Sequence, residues 1–346
     1  MVGEDQFHGM EKQAYDFDRV IDRAGTGSLK WDKYAGREVL PLWVADMDFQ
    51  SAPEIIEALH ARANHGVFGY TIPYESVVEA VRDYLREAHG YAVEREWIVW
   101  LPGLVPALNL ACRAFAEGGA VMTCTPVYPP FLSAPGNAGC ALQAVPLTYR
   151  DRRWTFDFEA MEAAVTERTR LFILCNPHNP VGRCFSKEEL LTLGDFCHRH
   201  RIVLCSDEIH CDLVLDAVRH HCLGTLAGPF QENTFSLFAP SKTYNLPGLA
   251  CAYAVMPDAR LRTRFQRTIR GIITEVNAFG YAGCEAAYRH GEPWRKALLD
   301  YLRENRRQVY TFVEEHMPGV VIRPMEATCL AWLDFRETGI EGRFRS

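Results

Sequence analysis

Short apolar runs that end on a polar residue, separated by helical patterns, are the feature that most constrains this chain. Leu171–Cys175, Ile202–Cys205 and Thr234–Phe238 are four or five residues long and dominated by apolar side chains. Strands buried on both faces read this way, and they belong to parallel sheets covered by helices. Trp97–Leu101, Ala120–Cys124 and Leu249–Val255 read as further strands. Between them, Val105–Ala116 has a helical pattern, and Ser186-Lys187-Glu188-Glu189 opens another helix with a capping box. Upstream, a helix is expected from Ser51 as its cap, with Pro53 in its first turn and Gly66 after it. A second runs from Tyr74 to His89, with Val77, Val81 and Leu85 on one face and Gly90 as its stop. After Pro257 the pattern is mostly helical through Pro293–His316, and two strands follow near Val320–Arg323 and Cys329–Asp334. The expected fold is α/β, a mostly parallel sheet with helices on both faces, plus a smaller α+β unit. Residues 1–50 are read as an N-terminal segment shared with the small unit, 51–270 as the large domain and 271–346 as the small C-terminal one.

A chain of 346 residues is long enough for a substantial core. Its net charge of −7 argues against a nucleic-acid partner. No apolar run reaches the ~20 residues of a membrane span, and the polar N-terminus is no signal peptide, so a cytoplasmic protein is expected. The twelve cysteines form no CxxC pair. Cys124, Cys175, Cys205 and Cys251 lie in or beside strand-like runs, so reduced buried thiols are expected, with no disulfide and no metal site.

Three motifs stand at strand ends: Asn176-Pro177-His178-Asn179-Pro180, Ser206-Asp207-Glu208-Ile209-His210 and Ser241-Lys242-Thr243. Each alone has a bland reading: a turn, a helix cap or half of a metal site, a solvated lysine. Together they place an Asn, an Asp and a Lys at the carboxyl ends of three sheet strands, where α/β sheets gather ligands. That set suits pyridoxal 5'-phosphate (PLP): an amine for the aldehyde, a carboxylate for the pyridine nitrogen and a polar group for the phenolate oxygen.

On these motifs the chain resembles the fold-type I PLP enzymes of the aspartate aminotransferase superfamily, and within them the cystathionine β-lyase group of MalY and PatB type. The resemblance covers residues 17–336 and implies a seven-stranded-type sheet. It implies that Lys242 is the Schiff-base lysine, that Asp207 pairs with the pyridine nitrogen, and that Asn179 and His210 contact the phenolate oxygen. Tyr128, in Pro126-Val127-Tyr128-Pro129, would stack on the ring. Gly103 with the N–H groups of Leu104 and Val105, and the Ser241 hydroxyl, would hold the phosphate; a Gly turn entering a helix offers free amides to an anion. Tyr70, in Gly69-Tyr70-Thr71, would reach the phosphate of the neighbouring subunit, which implies a homodimer with shared active sites. The stretch Leu42-Trp43-Val44-Ala45-Asp46-Met47-Asp48-Phe49 resembles one that passes the substrate, which implies that its backbone around Ala45 and Asp46 lines the carboxylate pocket. For any single side chain there, packing of an amphipathic entry segment is an equal reading.

The implied reaction is α,β-elimination from cystathionine or a related cysteine thioether, giving a thiol, pyruvate and ammonia. An aminotransferase is the alternative, and a PLP-fold regulatory or binding protein a further one. Two departures stand out. Pro247 replaces a small non-proline residue. Relatives also continue to an Arg that grips the substrate carboxylate, whereas this chain stops at Ser346 with no matching Arg. The C-terminus is therefore read as truncated, with Ile340-Glu341-Gly342-Arg343 resembling a protease-cleavage linker and PLP binding expected to survive without efficient turnover.

Overall fold

In the computed structural model, which describes residues 15–340, the apolar runs become the centre of a seven-stranded sheet. Its first strands are β1 (Ile98–Leu101), β2 (Ala120–Thr125) and β3 (Ala141–Pro146). A small antiparallel hairpin follows, β4 (Thr148–Arg150) with β5 (Arg153–Thr155). The sheet resumes with β6 (Thr169–Cys175), β7 (Val203–Asp207), β8 (Thr234–Phe238) and β9 (Ala252–Val255). The order is β1-β9-β8-β7-β6-β2-β3, and only β9 runs antiparallel to its neighbours. Two short strands, β10 (Val321–Ile322) and β11 (Leu333–Asp334), pair apart from it.

The helices are α1 (Leu29–Asp32), α2 (Pro53–His65), α3 (Glu75–His89), α4 (Leu104–Phe115), α5 (Pro129–Asn137), α6 (Phe158–Ala164), α7 (Lys187–Arg199), α8 (Ala259–Ile269), α9 (Ala278–His290) and α10 (Glu292–His316). Successive strand residues point to opposite faces. Leu171, Ile173 and Cys175 of β6 therefore join the core under α4, α5 and α8, with Phe115, Phe131 and Phe265. Phe172 and Leu174 join the opposite core, under α6 and α7, with Met161, Leu193 and Phe196. Helix α9 lies against α2 and α3. Among the described residues no helix is long and apolar enough to cross a membrane. The segment after Ile340, on which the reading of the chain end rested in part, lies outside the described residues, as does the part of the N-terminal segment before Tyr15.

The Ser186 capping box forms as expected, and Gly66 and Gly90 end their helices at φ 76° and 68°, where a Cβ would be strained. Ser51 does not cap α2: the cap position is Ala52, and the Ser51 hydroxyl donates to the Asn245 carbonyl at 3.2 Å. That bond ties the start of α2 to the turn carrying Lys242. The expected strand Leu249–Val255 begins only at Ala252, because Pro247–Leu249 forms a 3-10 turn and Ala250 sits at φ 51°. Strand β3 and helix α5 have no counterpart in the sequence reading. β3 is an edge strand with only Val145 buried, and α5 contains Pro135 and Gly136, so neither shows a clear period.

The loop after β6 is locked by Arg183, whose guanidinium reaches Glu326 at 2.7 Å and Glu189 at 2.5 Å with only 5% of the side chain exposed. Removing one partner of a buried ion pair strands the other charge. Arg183→Ala is expected to destabilise the fold by about 3–5 kcal/mol, read as a lower denaturant midpoint at unchanged slope. A midpoint equal to wild type would show that water solvates these carboxylates without the arginine.

Candidate active site

Strand register brings the motif residues together. Cys175 at the end of β6 pairs with Asp207 at the end of β7, and Asp207 pairs with Leu237 of β8. Three loops therefore leave neighbouring strands side by side: 176–185 with Asn179, 208–212 with His210, and 239–245 with Ser241 and Lys242.

Asp207 is 4% exposed, and among the described residues its carboxylate accepts one hydrogen bond, from the Ile209 N–H at 3.1 Å. Burial pushes its carboxyl up to about 7, with the Ile209 N–H working against that, Glu208 adding to it and the Lys242 charge opposing it. Lys242 donates from Nζ to the Ala45 carbonyl at 2.8 Å. Burial lowers its ammonium pKa despite the nearby Cys329, Asp46 and Asp207, which favours its neutral amine relative to an exposed lysine. His210 is buried, and its Nδ1 has no hydrogen-bond partner among the described residues. Burial, and then the Lys242 charge, push it down to about 3 and keep it neutral.

Asn179 is half-buried, and its carbonyl accepts from the Tyr128 N–H at 3.2 Å, which sets the Tyr128 loop beside the Asn179 loop. Tyr128 itself is 41% exposed. Asn176 plays a different part: its side chain accepts from the Phe185 N–H and donates to the His221 carbonyl, so it holds the backbone. At the other side, Gly103 is the extended cap residue of α4 at φ 165°, a conformation open to any residue, and a Cβ there would meet only Pro106 Cδ at 3.7 Å. No side chain caps this helix and its first turn has no acidic residue. The amides of Leu104 and Val105 thus stand at a helix N-terminus where no intrahelical carbonyl is available. Ser241 is half-buried beside Lys242.

The N-terminal stretch meets this site through its backbone, at the Ala45 carbonyl, and not through the carboxylate of Asp46. The Asp46 side chain pairs with Arg23 at 2.8 Å and lies 3.9 Å from Lys30, while Asp48 takes Lys30 at 2.6 Å, Arg23 at 2.7 Å and the Trp31 indole at 2.8 Å. The carboxylate of Asp46 is therefore occupied by two cations. The Ala45 carbonyl reaches Lys242, and a carbonyl accepts hydrogen bonds, so it cannot bind a carboxylate. Tyr70 lies fully exposed on the loop after α2, beside residues 274–279.

Several contributors escaped the sequence reading. Asn245, at φ 58°, clamps the N-terminal stretch by accepting from Met47 N–H and donating to the Met47 and Phe49 carbonyls. An Asn in a turn is the one hint the sequence offered, since Asn tolerates the left-handed region. His178, pushed down to about 4 by burial, is neutral and donates from Nε2 to the nearer carbonyl, Pro126 at 2.8 Å. It thereby ties the Tyr128 loop to the Asn179 loop.

The site's chemistry fits the expected cofactor. A buried carboxylate without an ion-pair partner among the described residues suits a protonated pyridine nitrogen. The His210 Nδ1, orphaned among the described residues, and the Asn179 amide suit its phenolate oxygen. Unpaired helix amides suit its phosphate.

Comparison with known proteins agrees. The profile of the aminotransferase class I and II family matches residues 37–341. Cystathionine β-lyase PatB of Bacillus subtilis (strain 168) is 39% identical over 331 residues, which is 94% of this chain and 86% of that protein. The crystal structure of OvoB superposes with a TM-score of 0.91 at 40% identity, over 94% of this chain and 86% of that one. Cystalysin from Treponema denticola, whose crystal structure contains a pyridoxal 5'-phosphate cofactor, gives 0.90 at 33% identity, over 94% and 85%.

Proposed function

The chain belongs to the aminotransferase class I and II family, and from that premise we propose that it is a PLP-dependent carbon–sulfur β-lyase acting on cystathionine or a related cysteine thioether. The observation that carries the reading is the buried Asp207 carboxylate at the end of β7, which accepts one backbone N–H and has no ion-pair partner among the described residues, beside a desolvated lysine. PLP, when bound, supplies an electron sink for the carbanion at the substrate Cα. Asp207 would hold the pyridine nitrogen in its protonated form. Asn179 and His210 would orient the phenolate oxygen, and the ring of Tyr128 would lie on the cofactor plane. Leu104 and Val105 amides, with Gly103 and the Ser241 hydroxyl, would take the phosphate.

Lys242 has two tasks in this proposal. It would hold the cofactor through its amine, and as a neutral amine, which its desolvation favours, it would take the proton from the substrate Cα. The Ala45 carbonyl accepts from Nζ and gives it a resting place beside the N-terminal stretch. The N–H groups around Ala45 and Asp46 would meet the substrate carboxylate. Cleavage then releases the sulfur from Cβ, and with one water the products of cystathionine are homocysteine, pyruvate and ammonia. The test is incubation of the PLP-loaded protein with cystathionine. Stoichiometric pyruvate and homocysteine support the lyase, whereas transfer of the amino group to a 2-oxo acid without thiol release replaces it with a transaminase.

The protein is proposed to work as a cytoplasmic homodimer with small amino-acid substrates. Eleven of its twelve cysteines are buried free thiols, as a reducing compartment permits. The exposed Tyr70 is proposed to serve the partner's phosphate site. Mixing inactive Lys242→Ala with inactive Tyr70→Ala chains should then restore up to about a quarter of the activity under random exchange, because half the dimers are mixed and each mixed dimer has one intact site. Proven exchange without recovery would place Tyr70 outside the active site.

A further inference from the structure

A second polar cluster lies directly behind the loops that carry His210 and Lys242, and nothing in the lyase chemistry uses it. His89 ends α3, and His220 and Cys222 stand in the loop after β7. One ligand atom from each of the three lies within 4.8 Å of the other two. We propose that His89, His220 and Cys222 form a binding site for a zinc-class transition-metal ion.

Two arrangements distinguish this cluster from a chance meeting of polar side chains. His220 Nε2 is 2.9 Å from a Glu208 carboxylate oxygen, and that carboxylate is fully buried. The opposite nitrogen, Nδ1, is buried and has no hydrogen-bond partner among the described residues, on a side chain only 3% exposed. An imidazole that donates one N–H to a buried carboxylate keeps its other lone pair fixed and basic, the arrangement metal-binding histidines adopt. His89 repeats the theme: its Nε2 is 3.1 Å from Asp212 Oδ1 and 3.0 Å from the Tyr84 hydroxyl, which commits that nitrogen and leaves Nδ1. Asp212 is better read as a support than as a ligand. It already receives the Tyr84 hydroxyl at 2.6 Å and the Thr243 hydroxyl at 3.1 Å besides His89.

The donor set selects the ion. Two imidazoles and a thiolate suit zinc or cobalt, whereas magnesium and calcium take oxygen. Binding releases the Cys222 thiol proton to solvent, leaving the ion with two neutral imidazoles and one thiolate, a net single positive charge. Glu208 and Asp212 offset that charge from behind the histidines. A cavity of about 450 Å³ opens beside the cluster and gives access and room for a water as fourth ligand. Glu87 and Glu292 on its wall oppose Arg219 and Arg295. Through Thr243, the neighbour of Lys242, and through the segment from Asp207 to Asp212, an ion here would stiffen two of the three loops of the active site.

The holoenzyme, treated with chelator and returned to buffer, is titrated with zinc chloride by calorimetry and its metal content counted. The expected result is one zinc per chain, selected over magnesium, with a proton released on binding. His220→Gln and Cys222→Ser should each weaken it at least about a hundredfold. Cobalt(II) in the wild-type protein should give a thiolate charge-transfer band, a measurement that needs no variant to fold. Absence of stoichiometric zinc, a cobalt spectrum without the thiolate band, or zinc retained at full affinity in both folded variants overturns the site.

Discussion

Lys242→Ala is expected to lose turnover of cystathionine by roughly 10⁴-fold or more, the upper end of what a general base contributes, because the same amine also anchors the cofactor. The fold should tolerate the change, since the side chain makes one hydrogen bond, to the Ala45 carbonyl, and is half-buried. Borohydride should fix the cofactor covalently to the wild-type protein at Lys242, and peptide mapping reads the position. A label on another lysine, or a variant that keeps a tenth of wild-type activity, would move the base elsewhere.

Asp207→Asn is expected to cost roughly tens to thousands-fold in turnover, the size of a lost buried charge-assisted contact. It carries a second signature of opposite sign. The Asp207 carboxyl sits near 7 in the fold against 3.8 for the free group, so the folded protein keeps a proton that the unfolded chain has released. Without cofactor, the protein should therefore be most stable below pH about 4 as far as this residue is concerned. It should lose that contribution as the pH rises to about 7, by an amount on the order of a few kcal/mol. Asn removes the penalty, so the cofactor-free variant should melt at a higher temperature than cofactor-free wild type at pH 8, while binding PLP less well. Bound PLP should reverse the order, because a protonated pyridine nitrogen stabilises the charge that burial opposes. Equal melting temperatures of the two cofactor-free proteins across pH 4–8 would mean that water reaches the carboxylate.

The sequence exposed the centre of the sheet and the strand-end residues for one physical reason. A strand buried on both faces is mostly apolar along its length, and Asn176 and Asp207 stand where the apolar runs of β6 and β7 end. The edge strand β3 lacks that contrast, because Ala141, Leu142 and Ala144 face solvent. Tertiary partners were equally illegible. Nothing in the sequence showed that Arg23 and Lys30 would fold onto the Asp46 carboxylate. The Ser51 hydroxyl suited a cap, yet a carbonyl 194 positions away captured it. The His89–His220–Cys222 cluster escaped a search for closely spaced ligands, since its members are brought together by the packing of α3 beside the loop after β7. Whether a chain has a metal site cannot be decided by counting CxxC pairs when the ligands arrive from different elements.

The clamp between Asn245 and the backbone of Met47 and Phe49 joins residues 196–198 positions apart. On the ribosome, chain growth proceeds at about 5–20 residues per second, so the entry segment emerges roughly 10–40 s before the side chain that fixes it. During that interval Leu40, Leu42 and Trp43, which remain exposed even in the finished fold, have no clamp to hold their stretch in place. The segment is therefore a late joiner although it is translated early. A nascent chain stalled before residue 245 should be nicked by protease near residues 40–50, and one stalled well beyond it should resist.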